Sequence, residues 1–127
     1  MMNHPKDLKY TRLHEWIRDN GDGTATVGIT DFAQNELGDI VFIEIDKAGE
    51  AVEKEEIFGT VEAVKTVSEL YMPVSGDIIE WNEALENEPE LINEDPYGKG
   101  WMIKIKLSDS SQLEELLSVD EYEEIIA

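Results

Sequence analysis

The sequence contains no cysteine and few basic residues. Without cysteine, disulfides and thiolate catalysis are excluded, and a reducing cytoplasm is the expected location. Only 10 lysines and arginines accompany 30 aspartates and glutamates, which gives a formal net charge of −20. Nucleic-acid binding is therefore not expected, because neutralising phosphates requires a basic surface. The same lack of basic residues argues against docking on anionic membranes.

Long apolar segments are also missing. No run of apolar residues approaches the length that spans a bilayer, and the N-terminus, MMNHPKDLKY, lacks the apolar centre of a signal peptide. A length of 127 residues fits one compact domain, and 41% hydrophobic residues are enough to build its core. We therefore expect residues 1–127 to form a single domain without a membrane-spanning segment.

The acidic charge has two explanations, and both remain open. One is solubility or adaptation to a salty cytoplasm. The other is electrostatic steering toward partners that carry basic surfaces.

Short strand-like runs with turn signals between them predict a mainly β protein, either a small barrel or a sandwich with helical additions. The predicted strands cover residues 13–18, 24–30, 40–45, 76–81 and 101–107. Residues 82–100 are polar, contain prolines and glycines, and are expected to be irregular.

Short helices are predicted between and after the strands. Thr30 or Asp31 can cap a helix that continues to Leu37 and is followed by a glycine. The tail predicts helix over residues 112–117, and a capping-box pattern at residues 118–121 leads into a last helix.

Residues 57–72 are ambiguous by pattern alone. Apolar residues fall at helical spacing from Val61 to Tyr71, whereas the many β-branched residues indicate strands. A single strand of this length would far exceed the usual length of about five or six residues, so a break near Lys65 is expected. No glycine, proline, asparagine or aspartate marks that break.

No familiar catalytic motif is present, and we do not expect an enzyme. Of the two histidines, His4 lies in a terminus expected to be flexible, and His14 lies in a predicted strand and is expected to be structural. The acidic pairs are expected on solvated faces, and no ligand pattern supports a metal site. Trp16, Trp81 and Trp101 are expected to fill the core.

Lys65 is the residue whose setting suggests chemistry. The ordinary explanation for any lysine is a solvated surface position. If residues 57–72 form two strands, however, the turn falls at Val64-Lys65 and presents the amine to a modifying enzyme. An acylated lysine on a rigid base is the arrangement with which lipoamide and biotin arms carry groups.

This region resembles a known family, the H protein of the glycine cleavage system. Residues 59–76 are similar to the lipoyl-lysine hairpin of that family, with Glu62-Ala63-Val64-Lys65 at the modified position and Pro73-Val74-Ser75-Gly76 after it. Further matching segments are His14-Glu15-Trp16 and residues 28–34, 37–41, 97–104 and 121–124. Together the matches cover about residues 8–125. The chain departs from the commonest family residues at Leu13, Ala63 and Thr66.

The resemblance implies a flattened barrel-sandwich of the lipoyl/biotinyl type, with flanking short helices and a helical C-terminus. The core would span about residues 8–107 and the C-terminal helical segment about residues 110–126. Lipoate would be covalently bound to Lys65, with no catalytic or metal-binding residue in the chain. Glu15 and Glu69 would contact the arm, because they match family positions in a cleft that shelters its cationic cargo.

The resemblance also implies a carrier function in glycine catabolism and one-carbon metabolism. A pyridoxal-phosphate glycine decarboxylase would load the aminomethyl group of glycine, and an aminomethyltransferase would pass it to tetrahydrofolate. Dihydrolipoamide dehydrogenase would reoxidise the arm, and a lipoyl-attaching enzyme would install it on Lys65. We expect the carrier to be a cytoplasmic monomer.

Other functions remain as alternatives. An H-like protein could donate lipoyl groups to other enzymes, and an acidic binding module would carry no cofactor. Lipoyl domains of 2-oxoacid dehydrogenases are less similar, since they usually have Asp-Lys-Ala at the turn where this chain has Val64-Lys65-Thr66. Biotin carriers usually place methionine on both sides of the lysine.

Overall fold

Two antiparallel sheets form the fold in a computed structural model, which describes residues 4–127. Residues 1–3, part of the N-terminal segment in which no signal peptide is expected, lie outside that range. The strands of the described chain are β1 Lys9–Tyr10, β2 Glu15–Asp19, β3 Thr24–Ile29, β4 Ile40–Ile45, β5 Ala51–Val52, β6 Ile57–Ala63, β7 Val67–Tyr71, β8 Gly76–Trp81 and β9 Ile103–Leu107. One sheet has the order β1-β2-β3-β9-β8-β5, and the other has the order β4-β6-β7. The predicted mainly β fold is confirmed.

Short helices flank the sheets. The helices are α1 Asp31–Leu37, α2 Ala84–Asn87, α3 Leu91–Glu94, a 3-10 helix Ser110–Glu115 and α4 Val119–Ile126. The predicted caps are confirmed: Thr30 Oγ1 accepts a hydrogen bond from Ala33 N–H at 3.1 Å, and Ser118 and Glu121 form a capping box. Within residues 4–127, no helix is long and apolar enough to cross a membrane.

Buried apolar side chains hold the two sheets together. Ile17, Val27 and Ile103 of the larger sheet belong to one core with Phe58 and Leu70 of the smaller sheet. Strands β6 and β7 are thereby packed on the larger sheet, and the turn between them extends from this packed pair of strands.

A second buried cluster joins the N-terminal strand to the C-terminal helix. Tyr10 and Tyr122 stack with their ring centroids 4.8 Å apart, and Trp16 lies in the same cluster. The Tyr122 hydroxyl is hydrogen-bonded to Thr30 Oγ1 at 2.8 Å and to His14 Nδ1 at 2.9 Å. Helix α4 is therefore fixed both to the corner before β2 and to the start of α1.

Residues 57–72 form a hairpin and not a helix. Strands β6 and β7 pair antiparallel, and Ala63 N–H donates to Thr66 C=O at 2.8 Å. The apolar residues at helical spacing do not share a face, since Val61 is buried whereas Val67 is 59% exposed. The strand interpretation of this segment is confirmed.

Two predicted strand starts are wrong. Strand β2 begins at Glu15 rather than at residue 13, because His14 has a left-handed φ of 72° that turns the chain. His14 therefore lies in a bend before the strand. Strand β9 begins at Ile103, two residues later than predicted.

The polar segment 82–100 is more ordered than predicted. Helices α2 and α3 have four residues each, and each buries one apolar side chain, Leu85 and Ile92 respectively. A helix of this length is too short to show an apolar period, so the sequence pattern does not reveal it.

The first tail helix also differs from the prediction over residues 112–117. It is a 3-10 helix that ends at Glu115. The chain is extended beyond it because Leu117 and Tyr10 exchange two backbone hydrogen bonds, at 2.8 and 2.9 Å.

Burial differs from expectation at three aromatic residues. The His4 side chain is 3% exposed and packs edge-on against Tyr122, so the expected flexible terminus is wrong at this residue. Trp16 is fully buried as predicted, whereas Trp81 and Trp101 are partly exposed and pack against the margins of the core clusters.

Candidate functional site

Lys65 lies at the tip of the β6–β7 hairpin, in a turn with Val64 as predicted. Its side chain is exposed, and Val64 is 76% exposed. Val64 N–H donates to Asp39 C=O at 3.0 Å, which attaches the tip to the loop after α1. The Lys65 side chain lies over Gly38 in that loop, where a Cβ atom would come within 3.3 Å of Lys65 Cε. The Lys65 amine is thus accessible, and the turn that carries it is held by a backbone hydrogen bond.

The conformation of this turn explains why no turn residue marks it in the sequence. Two-residue hairpin turns usually need a positive φ, which favours glycine or asparagine. Val64 and Lys65 both have negative φ angles. The bond from Val64 N–H to Asp39 C=O adds a contact outside the hairpin to the local bond between Ala63 N–H and Thr66 C=O.

A cleft of roughly 210 Å³ lies between α1 and the outer edge of β7. Strand β7 is an edge strand of its sheet. The cleft is lined by residues 13–15, by one side of α1 and by residues 68–70 of β7. Leu37 lines it and precedes Gly38, on which Lys65 lies. Lys65 is therefore beside the cleft.

Glu15 is a buried carboxylate in the wall of this cleft, with 3% of its surface exposed. The Thr11 hydroxyl donates to Glu15 Oε1 at 2.7 Å, and Tyr71 N–H also donates to the carboxylate. Burial raises the pKa of Glu15 to about 7, and the two hydrogen bonds oppose that rise. Because Tyr71 belongs to β7, the carboxylate connects β2 to the outer edge of the smaller sheet.

Glu69 lines the same cleft but is exposed. The nearest donor, the Tyr71 hydroxyl, is 3.5 Å from Glu69 Oε1, which is long for a hydrogen bond. The structure therefore brings the two predicted carboxylates to one cleft and desolvates only Glu15.

Sequence reasoning missed the aromatic wall of the cleft. Phe32 of α1 lies against the His14 ring, with centroids 4.9 Å apart. Burial lowers the pKa of His14, partly opposed by Glu36, so the imidazole is neutral at neutral pH. A predicted α1 alone could not identify these residues, because packing decides which helix face lines the cleft. Residues 4–127 contain no cluster of acidic, histidine or cysteine side chains that could hold a metal ion.

Comparisons with known proteins agree with this geometry. The family described as "Glycine cleavage H-protein" matches residues 8–127. The chain is 57% identical over 122 residues to the glycine cleavage system H protein of Staphylococcus carnosus, which covers 96% of both chains. It is 58% identical over 127 residues to the H protein of Halalkalibacterium halodurans, which covers 100% of this chain and 98% of the relative.

A solved structure is similar as well. The crystal structure of a glycine cleavage system H protein from Mycobacterium marinum superposes with a TM-score of 0.84 at 42% sequence identity. The match covers 94% of this chain and 95% of that one. The chain therefore belongs to the glycine cleavage H-protein family and is a carrier component rather than an enzyme.

Proposed function

We propose that this protein carries a lipoyl group on Lys65 Nζ and transports the aminomethyl group of glycine within a glycine cleavage system. The observation that supports this most directly is the exposed Lys65 on a fixed hairpin tip, beside a cleft with a buried carboxylate. A lipoyl group on this amine would supply a disulfide that accepts the aminomethyl group and two electrons.

The proposed partners are those of that system. They are a pyridoxal-phosphate glycine decarboxylase, a tetrahydrofolate-dependent aminomethyltransferase, dihydrolipoamide dehydrogenase and a lipoyl-attaching enzyme, all meeting the carrier in the cytoplasm. The names of the relatives, each a glycine cleavage system H protein, support this assignment. The chain itself contributes attachment, orientation and shelter of the cargo.

Glu15 is proposed to hold the cationic cargo in the cleft. Its carboxylate is buried, so an ionised Glu15 would gain a desolvated partner for a bound ammonium group. A charge-assisted hydrogen bond of this kind contributes about 1.5–3 kcal/mol. The exposed carboxylate of Glu69 would contribute only about 0–1 kcal/mol, because water screens it.

We expect one lipoyl group per chain, on Lys65. Protein made in cells that synthesise lipoate should show the lipoyl mass only on the Lys65 peptide by mass spectrometry. Lys65→Arg should abolish it. Lys47→Arg is the matched control, since Lys47 is also exposed in a turn, and it should leave the modification intact. Lipoyl on any other lysine would overturn the assignment.

We expect binding to the partner enzymes to weaken as salt rises. Within residues 4–127, Glu15 is the only buried acidic residue, so nearly all of the negative charge is available for long-range steering. Added salt screens exposed charges over about 10 Å at 0.1 M. The apparent KM for the carrier should therefore rise with ionic strength in decarboxylase and transferase assays.

The control for this salt effect is free lipoamide with dihydrolipoamide dehydrogenase, because free lipoamide is uncharged. A KM for the carrier that stays constant with salt would favour solubility or salt adaptation as the reason for the charge.

We expect Glu15→Gln to release the cargo faster than Glu69→Gln. Loss of the buried charge-assisted bond should speed breakdown of the loaded carrier to ammonia and formaldehyde roughly tenfold to hundredfold. Glu69→Gln should change the rate of this breakdown by about fivefold or less. Formaldehyde release is measured after loading, and lipoylation should be equal in all variants. If the loaded carrier breaks down at the same rate in wild type and Glu15→Gln, Glu15 does not hold the cargo and its role is structural.

The buried carboxylate should also make stability depend on pH. The unfolded chain releases the Glu15 proton near the ordinary pKa of 4.5, whereas the folded chain retains it up to about 7. Between those values the folded state binds more protons, so stability falls as pH rises and the loss is complete above about 7. The loss is on the order of 3 kcal/mol.

Glu15→Gln lacks this ionisation. Urea unfolding at pH 5 and pH 8 should show the variant gaining stability relative to wild type at the higher pH. Glu69→Gln serves as the control at an exposed carboxylate of the same cleft. An identical pH dependence in wild type and Glu15→Gln would contradict the burial argument.

A further inference from the structure

Asn93 of α3 joins three segments through one side chain. Its Nδ2 donates to Gly38 C=O at 2.8 Å and to Gln34 Oε1 at 2.9 Å. Its Oδ1 accepts a hydrogen bond from Ile40 N–H at 2.9 Å. The amide group therefore connects α1, the loop that follows it and the first residue of β4.

The loop that Asn93 holds is the one that supports Lys65. Asp39 C=O accepts the hydrogen bond from Val64 N–H at 3.0 Å, and Gly38 lies beneath Lys65 Cε. Asn93 binds the loop on both sides of the Asp39 carbonyl. It contacts Gly38 C=O before that carbonyl and Ile40 N–H directly after it. Asn93 thus fixes the orientation of the acceptor to which the hairpin tip is bound.

We propose that Asn93 is a positioning residue for Lys65. By fixing Gly38 and Asp39, it holds the hairpin tip against the end of α1, so that a group attached to Lys65 extends along the cleft that contains Glu15. This inference rests on the proposed function, in which Lys65 bears the lipoyl group.

Asn82 provides a control for the loss of a hydrogen-bonded asparagine amide. Its Nδ2 donates to Lys99 C=O and Trp101 C=O, both at 2.8 Å, and its Oδ1 accepts from Ala84 N–H at 3.3 Å. Each asparagine side chain donates two hydrogen bonds and accepts one, and all but the Gln34 Oε1 partner of Asn93 are backbone groups. None of the partners of Asn82 belongs to the hairpin or to the loop beneath it.

The first experiment measures amide hydrogen exchange of Val64 by NMR in protein without a lipoyl group. Asn93→Ala should speed Val64 exchange by about tenfold or more, because the acceptor of that amide is no longer fixed. Asn82→Ala should lower the urea midpoint to a similar extent and leave Val64 exchange unchanged. Unchanged exchange in Asn93→Ala, or equal acceleration in both variants, would overturn the proposal.

The second experiment uses the lipoylated and loaded carrier. Asn93→Ala should accelerate formaldehyde release, and adding Glu15→Gln should accelerate it little further, because the two residues act on the same sheltered arm. Asn82→Ala should release formaldehyde at the wild-type rate. Wild-type release in Asn93→Ala would refute a role in directing the arm even if Val64 exchange has changed.

If Asn93→Ala does not fold, Asn93→Asp takes its place, since it retains the acceptor for Ile40 N–H and loses the donors to Gly38 and Gln34. If wild type carries no lipoyl group on Lys65, the proposed function fails, whereas Val64 exchange still decides whether Asn93 fixes the tip.

Discussion

The unpaired outer edge of β7 is the constraint on which the fold and the site both depend. Edge strands expose backbone donors that invite pairing with other chains. Here α1 and the corner before β2 face this edge across a cleft, and the Glu15 carboxylate accepts the Tyr71 N–H. Because side chains rather than another strand face the edge, a space remains beside it. That space is the cleft, so the free edge of β7 is also one wall of the candidate site.

Local features of the sequence were sufficient to predict several elements. Thr30 and Ser118 have the side-chain chemistry of N-caps, and that chemistry acts within a few residues of the chain. Strands β4 and β8 have the predicted limits, since turn signals bound them on both sides. The β6–β7 hairpin was different, because its turn at Val64-Lys65 lacks glycine. Resemblance to a family, rather than local pattern, resolved that segment.

Features that depend on distant contacts could not be predicted. Nothing local distinguishes Glu15 from the other acidic residues, yet it alone among those in residues 4–127 is buried, because Thr11 and the β7 edge meet there. The contact between Asn93 and the loop that supports Lys65 likewise follows from how α3 packs. The burial of His4 depends on a helix more than 100 residues away in the sequence. In each case at least one of the partners is remote along the chain.

The Tyr122 hydroxyl has a consequence for the order in which the protein matures during synthesis. It contacts His14, which lines the cleft, and Thr30 at the start of the helix that forms one side of it. A ribosome therefore exposes the hairpin with Lys65 well before it releases the residue that joins His14 to the start of α1. Under the proposed function, a nascent chain offers Lys65 for modification before the walls of the cleft are joined. Attachment of the proposed lipoyl group and completion of the cleft are thus separable in time.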